Sequence, residues 1–242
     1  MAFMTLAPLA AAPDRHALWR VVQACVADSK LTGAPFPCLG VDLSGGKDRG
    51  TVVLRPPFGR PDLILSPARK VAGVEDPWLQ SPDAPNYFEA ALSARSFLKG
   101  PDGQPPQMGD IALAVNSAFS RSQDQLHIHV GCLAPVAKRA VVALAPGLPV
   151  GEWARLGGVV PGSPTWGYRI GAADLAGVDP FRLAAEGPAG NGRGLARLMI
   201  AVAGVRIGDD DDLVILAAPG AFAAESIVDA ACSDLSSESG SK

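Results

Sequence analysis

The sequence predicts an α+β fold, an antiparallel sheet with helices that is extended by a C-terminal α/β half. In the first half, pairs of strand-like segments stand before and after a helix-like segment. In the second half, segments with apolar residues at helical spacing are followed by two strand-like segments near the end of the chain. The 242 residues are 48% hydrophobic and 19% charged, with a positive mean hydropathy, which is enough for a full core.

The elements of the first half follow in order along the chain. Apolar residues at helical spacing predict a first helix over residues 17–26, with Asp14 placed to cap it. Two strands, 50–55 and 62–66, are separated by a turn rich in proline and glycine, so they are predicted to form a hairpin. The main helix of this half is predicted over residues 86–99, on one face of the sheet. A strand over residues 111–116 and a histidine-bearing strand then complete the half.

The second half is predicted from weaker patterns. Its expected elements are a helix over 138–145, a strand over 168–170, a helix over 179–186 with Pro180 in its first turn, and strands over 195–205 and 212–217 around a turn at 208–211. This half is either a degenerate copy of the first half or an added layer. We treat residues 1–242 as one domain, with a histidine-bearing half over about 14–135, a C-terminal half over about 136–232 and a disordered serine-rich tail over 233–242.

Charge and hydropathy exclude some functions. A net charge of −3, without a basic run, gives no footprint for nucleic acid, so an anionic ligand needs a dedicated site. No stretch reaches the roughly 18 apolar residues of a membrane-spanning helix. The apolar start, residues 1–13, is either the remnant of a signal or anchor segment or a disordered alanine-rich leader.

The four cysteines form an even set without the spacing of a metal site. They are Cys25, Cys38, Cys132 and Cys232. Two disulfides are one interpretation, and four buried free thiols in a bacterial cytosolic enzyme are the other. A loop rich in proline and glycine returns Cys38 toward the first helix.

The most informative segment is 120–130, because it places His127 and His129, two of only three histidines, two residues apart in an alternating apolar pattern. Residues i and i+2 of a strand share a face. Gln125, His127 and His129 are therefore predicted to line one side of the sheet. The intervening residues, Leu126, Ile128 and Val130, are predicted to enter the core on the other side.

Three interpretations of the histidine pair compete. A catalytic zinc would need a third ligand, and no HExxH or CxxC motif supplies one. A purely structural, hydrogen-bonded pair is the second interpretation. The third is nucleophilic phosphate chemistry, in which a neutral imidazole attacks phosphorus while nearby donors hold the charged oxygens. The preceding segment offers such donors in Asn116, Ser122 and Gln123, and Arg121 is either a charged phosphate ligand or a residue of a solvated face.

The sequence from Gln125 to Val130, which follows an asparagine-containing strand and a turn rich in serine and glutamine, resembles the His-x-His-x-His signature of the histidine triad superfamily of nucleotide hydrolases and transferases. The wider pattern resembles the CDP-diacylglycerol pyrophosphatase family within it. The segments that carry this resemblance, in order, are Cys25 with Cys38, 63–77, 85–88, 116–117 and 120–132. The similarity runs from about Leu18 to Cys232. It implies a histidine-triad-like sheet and hydrolysis of CDP-diacylglycerol to CMP and phosphatidic acid.

The resemblance implies roles for the residues of the histidine motif. His127 matches the central, nucleophilic histidine, and His129 matches the third histidine, which contacts the phosphate. Gln125 stands in the first position, where the superfamily usually has histidine. Glutamine still donates a hydrogen bond, so this departure concerns proton handling at the leaving group rather than the reaction class.

Residues outside the motif complete the predicted phosphate site. Ser122 matches a phosphate-binding hydroxyl, and Asn116 matches an asparagine that helps to hold the nucleotide phosphate. Arg121 and Gln123 add further donors. Lys70 lies near the sequence position at which many triad proteins have an additional upstream histidine. There it either neutralises phosphate charge or is a solvated lysine after a strand.

Several expectations accompany this function. We expect Cys25 to pair with Cys38, and Cys132 with Cys232. The implied mechanism needs neither a metal nor another cofactor, and no obligate protein partner is inferred. The expected partners are CDP-diacylglycerol and the membrane surface, and the catalytic domain is expected on the periplasmic side of a bacterial inner membrane, held by an N-terminal anchor. The loop at Trp78 and Leu79 is either a second membrane contact or ordinary core packing.

Two rival functions remain open at this point. One is a soluble nucleotide pyrophosphatase or nucleotidyltransferase that acts on a non-lipid substrate. The other is a non-catalytic nucleotide- or lipid-binding protein, motivated by Gln125 in place of the first histidine.

Overall fold

A computed structural model describes residues 14–56, 62–100, 102–160, 162–190, 194–220, 223 and 226–232. In these residues ten strands form one sheet. The strands are β1 (Gly40–Asp42), β2 (Thr51–Leu54), β3 (Leu63–Pro67), β4 (Ile111–Val115), β5 (Ile128–Leu133), β6 (Trp153–Leu156), β7 (Thr165–Gly171), β8 (Leu198–Ile207), β9 (Asp210–Pro219) and β10 (Val228–Asp229). The α-helices are α1 (Ala17–Thr32), α2 (Tyr87–Ser93), α3 (Pro135–Leu144) and α4 (Pro180–Glu186).

The strand order is β1-β2-β3-β5-β4-β8-β9-β7-β6, and β10 pairs with β5 beside this path. Each of these pairs is antiparallel. The order β2-β3-β5-β4 in the first half has the same sequence of steps as β6-β7-β9-β8 in the second, and the halves meet where β4 pairs with β8. The predicted α+β architecture with an antiparallel sheet is confirmed.

Helix α2, the predicted main helix of the first half, lies on one face of the sheet as expected, and other helices cover the opposite face. Alternate residues of β4 show the two faces: Leu113 packs in the apolar cluster that holds residues of α2 and α4, and Ala114 packs in the cluster that holds α3. Helix α1 forms a third cluster with residues of β2 and with Ile64 of β3. Burial on both faces explains why the central strands are almost wholly apolar.

Side chains at the starts of α2 and α4 satisfy the free backbone N–H groups there. The Asn86 side chain accepts hydrogen bonds from the N–H groups of Phe88 and Glu89, and Asp179 does the same for Phe181 and Arg182. The rings of Phe88 and Phe181 then pack together, with centroids 5.0 Å apart. The two helices therefore have the same kind of N-terminal cap, and they pack together on the same face of the sheet.

Most predicted elements are present, with corrected bounds. The helix expected over 86–99 ends at Ser93 and continues as a 3-10 turn, Ala94–Phe97. The predicted cap at Asp14 is wrong, because His16 is the N-cap residue of α1 and Asp14 accepts its N–H. Residues 195–197, expected in a strand, form a 3-10 turn before β8. Strands β1, β6 and β10 were not predicted.

Both expected disulfides are confirmed. Cys25 of α1 bonds to Cys38, which precedes β1, and Cys132 of β5 bonds to Cys232 near the end of the described chain. The first bond fixes α1 to the edge of the sheet, and the second fixes the C-terminal segment to the histidine strand. The alternative of four free thiols is therefore wrong.

Some expectations fall on residues outside the described part, namely the apolar start 1–13, the tail 233–242 and most of the turn between β2 and β3. Within the described residues, no helix combines the length and the apolar character needed to cross a membrane. Leu79 is buried in the core, and Trp78 packs against the same core while its indole N–H donates to the Tyr87 hydroxyl. Core packing is thus the correct interpretation of that pair.

Candidate active site

The two predicted histidines lie at the centre of one face of the sheet. His129 pairs in register with Ile64 of β3 and with Ala114 of β4. Ile64 belongs to the α1 cluster and Ala114 to the α3 cluster, so the histidines lie between these two helical layers. The intervening residues Leu126, Ile128 and Val130 pack in the cluster on the opposite face, as predicted.

The histidine side chains are buried and close to each other. His127 and His129 are 6% and 4% exposed, and their ring centroids are 5.1 Å apart with the rings edge to face. Continuing the strand register places Asn116 and Ser66 on either side of His127, and both residues are buried. Asn116 directly follows β4, Ser66 lies in β3 and His127 directly precedes β5, so the site gathers polar side chains from three neighbouring parts of the sheet. The sequence predicted both histidines within one strand, but β5 begins at Ile128, so only His129 lies in it.

A backbone contact fixes the tautomer of His127. Its Nδ1 lies 2.8 Å from the carbonyl oxygen of Gln125. Because a carbonyl oxygen only accepts, Nδ1 must carry the hydrogen in this contact, and in the neutral ring Nε2 then carries the lone pair. A neutral imidazole with a defined Nε2 lone pair is suited to attack an electrophile such as phosphorus.

A buried carboxylate contacts the second histidine. Nδ1 of His129 lies 3.3 Å from Oδ2 of Asp62, which is only 2% exposed and comes directly before β3. Asp62 was not predicted as a site residue from the sequence. The only available signal was its alternation with Ile64 and Ser66, and that signal gains meaning only once β3 is known to pair with the histidine strand.

The side chain of Gln125 is engaged with the segment after β3. Its Nε2 lies 3.1 Å from the carbonyl oxygen of Pro67, 3.0 Å from that of Arg69 and 3.2 Å from Ser66 Oγ. Its Oε1 accepts the Val71 N–H at 3.4 Å. Gln125 is fully buried, so in this structure it links the histidine strand to the 66–71 segment.

The polar loop before the histidines is held by charged pairs. Arg121 contacts Glu75 at 2.7 Å and Asp124 at 3.1 Å, and Arg15 contacts Asp124 at 2.7 Å. The hydrogen bond from the Arg15 guanidinium, and to a smaller extent that from Arg121, holds the pKa of the Asp124 carboxyl well below its usual range. Asp124 therefore stays ionised at neutral pH, and Arg121 is bound by two carboxylates rather than lying on a solvated face.

Two further predicted residues also bind neighbouring chain segments. Gln123 accepts the Leu18 N–H at 2.9 Å and so caps α1, the role that the sequence analysis gave to Asp14. The ammonium of Lys70 donates to the carbonyl oxygen of Asp124 and lies 5.7 Å from the centre of the Trp19 ring. Ser122 is exposed on the loop surface.

The described residues contain no group of three or more His, Cys, Asp or Glu side chains that is arranged to hold a metal ion. Among the described contacts of the two histidines, His127 Nδ1 meets the backbone carbonyl of Gln125, and His129 Nδ1 meets the carboxylate of Asp62.

Comparison with known proteins decides the family. A sequence profile of the CDP-diacylglycerol pyrophosphatase family matches residues 13–236. The chain belongs to this family. A CDP-diacylglycerol pyrophosphatase from Yersinia pestis is 34% identical over 197 residues, which cover 81% of this chain and 74% of that protein.

Two mycobacterial relatives extend the match. A CDP-diacylglycerol pyrophosphatase from Mycobacterium bovis is 30% identical over 225 residues, which cover 91% of this chain and 84% of that protein. A probable CDP-diacylglycerol pyrophosphatase from Mycobacterium leprae is 38% identical over 125 residues, or 51% of this chain and 45% of that protein. The resemblance to the CDP-diacylglycerol pyrophosphatase family inferred from the motifs is thus confirmed.

In this member of the family, the structure brings four predicted site residues together on one face. They are Asn116, Gln125, His127 and His129. The other predicted residues, Lys70, Arg121, Ser122 and Gln123, belong to the loops beside that face, and the structure shows three of them bound to other parts of the chain. Their direct contact with phosphate stays a prediction.

Proposed function

We propose that this chain hydrolyses the pyrophosphate bond of CDP-diacylglycerol to give CMP and phosphatidic acid. Membership of the family and the names of its relatives support the substrate. The observation that carries the proposal is the contact between His127 Nδ1 and the Gln125 carbonyl, since it leaves Nε2 as the nucleophilic atom of a buried imidazole.

In the first proposed step, Nε2 of His127 attacks the phosphorus that bears the cytidine. A P–N bond forms and the bond from that phosphorus to the bridging oxygen breaks. Phosphatidate departs with the bond's electron pair, and CMP remains attached to His127. The Gln125 carbonyl accepts the Nδ1–H throughout, which stabilises the positive charge that develops on the ring.

In the second proposed step, a water oxygen attacks the same phosphorus. The P–N bond breaks, CMP leaves and the neutral His127 is regenerated, while the water gives up a proton to a base. Asn116 lies beside His127 and supplies an amide donor for the phosphate oxygens. Ser122 and the cationic groups of Arg121 and Lys70 are proposed to hold the outer phosphate oxygens. Arg121 and Lys70 now bind other parts of the chain, so their loops must move before they reach the phosphate.

We also propose that the fold is histidine-triad-like and that the second half is a degenerate repeat. The matching strand orders of the two halves, the matching helix caps and the central pairing of β4 with β8 support a duplicated unit. Strand β9 occupies the place that β5 holds in the first half, and it carries no histidine. The chain would then hold one reactive site, in the first half.

The proposed location is a membrane surface in an oxidising compartment, such as the bacterial periplasm. Two disulfides support that compartment, because cytosolic thiols are kept reduced. The anchor expected within residues 1–13 stays a prediction.

Incubation with CDP-diacylglycerol in mixed micelles tests the proposed function. The expected products are CMP and phosphatidic acid in equal amounts, separated by chromatography. A parallel incubation with a water-soluble CDP-alcohol tests the rival reaction. Faster turnover of the water-soluble compound would contradict the lipid substrate, and binding of CDP-diacylglycerol without CMP release would support the non-catalytic rival.

An exposed aromatic side chain in the loop that follows β4 gives a prediction about lipid contact. Phe119 is 62% exposed, three residues after Asn116, and the Arg197 guanidinium lies 5.1 Å from its ring centre. We expect Phe119→Ser to raise the apparent KM for CDP-diacylglycerol in vesicles by about tenfold, or about 1.4 kcal/mol, because an apolar contact with the bilayer is lost. Turnover of a short-chain, water-soluble analogue should be unchanged.

Leu31→Ser is the matched control for that variant. Leu31 is 85% exposed and lies near the end of α1 remote from Gln123, about 20 Å along the helix from Leu18. It should leave both KM values unchanged. Equal effects of the two variants on vesicle KM would contradict a specific lipid contact at Phe119.

A further inference from the structure

Asp62 is a carboxylate buried at the histidine site, and burial of a charged group is costly unless polar partners compensate. Its Oδ2 lies 3.3 Å from Nδ1 of His129. Asp62 and His129 come from neighbouring strands, one residue before β3 and within β5, so the sheet holds both backbones rigidly. This arrangement makes Asp62 a candidate for controlling the chemistry of His129.

The contact determines which nitrogen of His129 carries the hydrogen. An ionised carboxylate only accepts hydrogen bonds, so Nδ1 of His129 carries a hydrogen and Nε2 of the neutral ring carries the lone pair. The carboxylate also stabilises the ring when Nε2 takes up a proton, because the imidazolium then faces a negative charge. The distance is long for a charge-assisted bond, but catalytic hydrogen bonds are often long in a free enzyme and shorten in the reacting complex.

We propose that Asp62 is a positioning residue that makes His129 the base of the second step. This inference rests on the proposed function. While CMP is attached to His127, the water oxygen bonds to phosphorus and one water proton moves to Nε2 of His129. The Asp62 carboxylate holds the resulting imidazolium, the P–N bond breaks, and the proton later passes from His129 to solvent.

The assignment separates the roles of the two histidines. The rings are 5.1 Å apart and edge to face, so a water that approaches the phosphorus on His127 is within reach of His129. Nδ1 of His127 is hydrogen-bonded to an uncharged carbonyl, whereas Nδ1 of His129 contacts a carboxylate. The uncharged partner suits a nucleophile, and the charged partner suits a group that gains a proton.

The experiment follows the two products of Asp62→Asn separately after rapid mixing with CDP-diacylglycerol. Asparagine keeps the shape of the side chain and removes the charge. We expect one equivalent of phosphatidic acid to be released at nearly the normal rate, and CMP release to slow by roughly 10²-fold. The nucleotidyl-enzyme should accumulate and be recovered as an acid-labile, alkali-stable adduct.

Two comparisons separate this role from a structural one. Asp179→Asn removes another buried carboxylate, at the N-cap of α4, where asparagine also caps well, and it should not accumulate the adduct. Adding Asp62→Asn to His129→Ala should cause little further loss, because the two residues act as a unit. Thermal unfolding of each variant verifies that it is folded.

The outcomes are distinct. Accumulation of the adduct in Asp62→Asn, but not in Asp179→Asn, supports the inference. Equal slowing of both products, unchanged CMP release or additive losses in the double variant would overturn it. If the wild type released no CMP at all, the proposed function would be rejected and the role of Asp62 with it.

Discussion

His127→Ala is expected to lower CMP formation by several orders of magnitude. The substitution removes the atom that forms the P–N bond, so the two-step route is lost rather than weakened. A loss of about 10⁴-fold would correspond to about 5.4 kcal/mol of transition-state stabilisation. Steady-state kcat/KM with CDP-diacylglycerol in mixed micelles is the measurement.

Three variants complete this test. His129→Ala should do less damage than His127→Ala, because His129 is proposed to assist without forming the covalent bond. His127→Gly leaves space for a free imidazole, which should restore part of the phosphatidate release by attacking phosphorus in place of the missing ring. His127→Gln keeps a polar group of similar reach and should stay inactive. Retention of a tenth of the wild-type activity by His127→Ala would contradict its role as nucleophile.

Local patterns predicted most of the fold. The alternation around His127 gave the correct faces of the histidine strand, because burial of Leu126, Ile128 and Val130 on one side forces the histidines to the other. Three strands were missed, and each is short: β1 has three residues, β6 four and β10 two. Such strands are defined by the neighbour they pair with, and their sequences carry no period of their own.

The order of the strands was beyond the sequence patterns. Strand β5 lies between β3 and β4, although β3 and β4 are consecutive in the chain, and β8 pairs with β4 from the first half. These contacts depend on how two half-sheets meet. Helices on both faces follow from the same arrangement, because the central strands are buried on each side.

Site residues could be predicted from the sequence where the residue type itself indicates the chemistry. They were harder to predict where contacts with distant parts of the chain determine what a residue does. Two histidines at i and i+2 indicated the face of the sheet that carries the candidate site. The function of Gln125, whose carbonyl holds His127 and whose side chain binds the 66–71 segment, depends on contacts across strands. Asp62 is separated from His129 by 67 residues, so its contact appears only when β3 and β5 pair.

Removing the Cys132–Cys232 disulfide is expected to cause the largest loss of stability among single cross-link variants. The bond closes a loop with a sequence separation of 100, against 13 for Cys25–Cys38. In the chain-entropy model, loops of these sizes contribute about 4.7 and about 3 kcal/mol to the free energy of unfolding. The longer loop matters more because its closure removes more conformations from the unfolded chain.

Paired Cys-to-Ala variants, one pair for each bond, test this expectation by urea unfolding under non-reducing conditions. Cys132 lies in the histidine strand and β10 pairs with that strand at Cys132 and Leu133, so losing the bond should also loosen β10 from β5. We therefore expect the Cys132/Cys232 variant to lose turnover at urea concentrations where the Cys25/Cys38 variant is still active. The wild type treated with a reductant should behave like the combination of both variants. A larger loss of unfolding free energy in the Cys25/Cys38 variant would contradict the expectation, because fixing α1 over β1 to β3 would then stabilise the fold more than closing the long loop. Four alkylatable thiols in the untreated protein would show that neither bond forms.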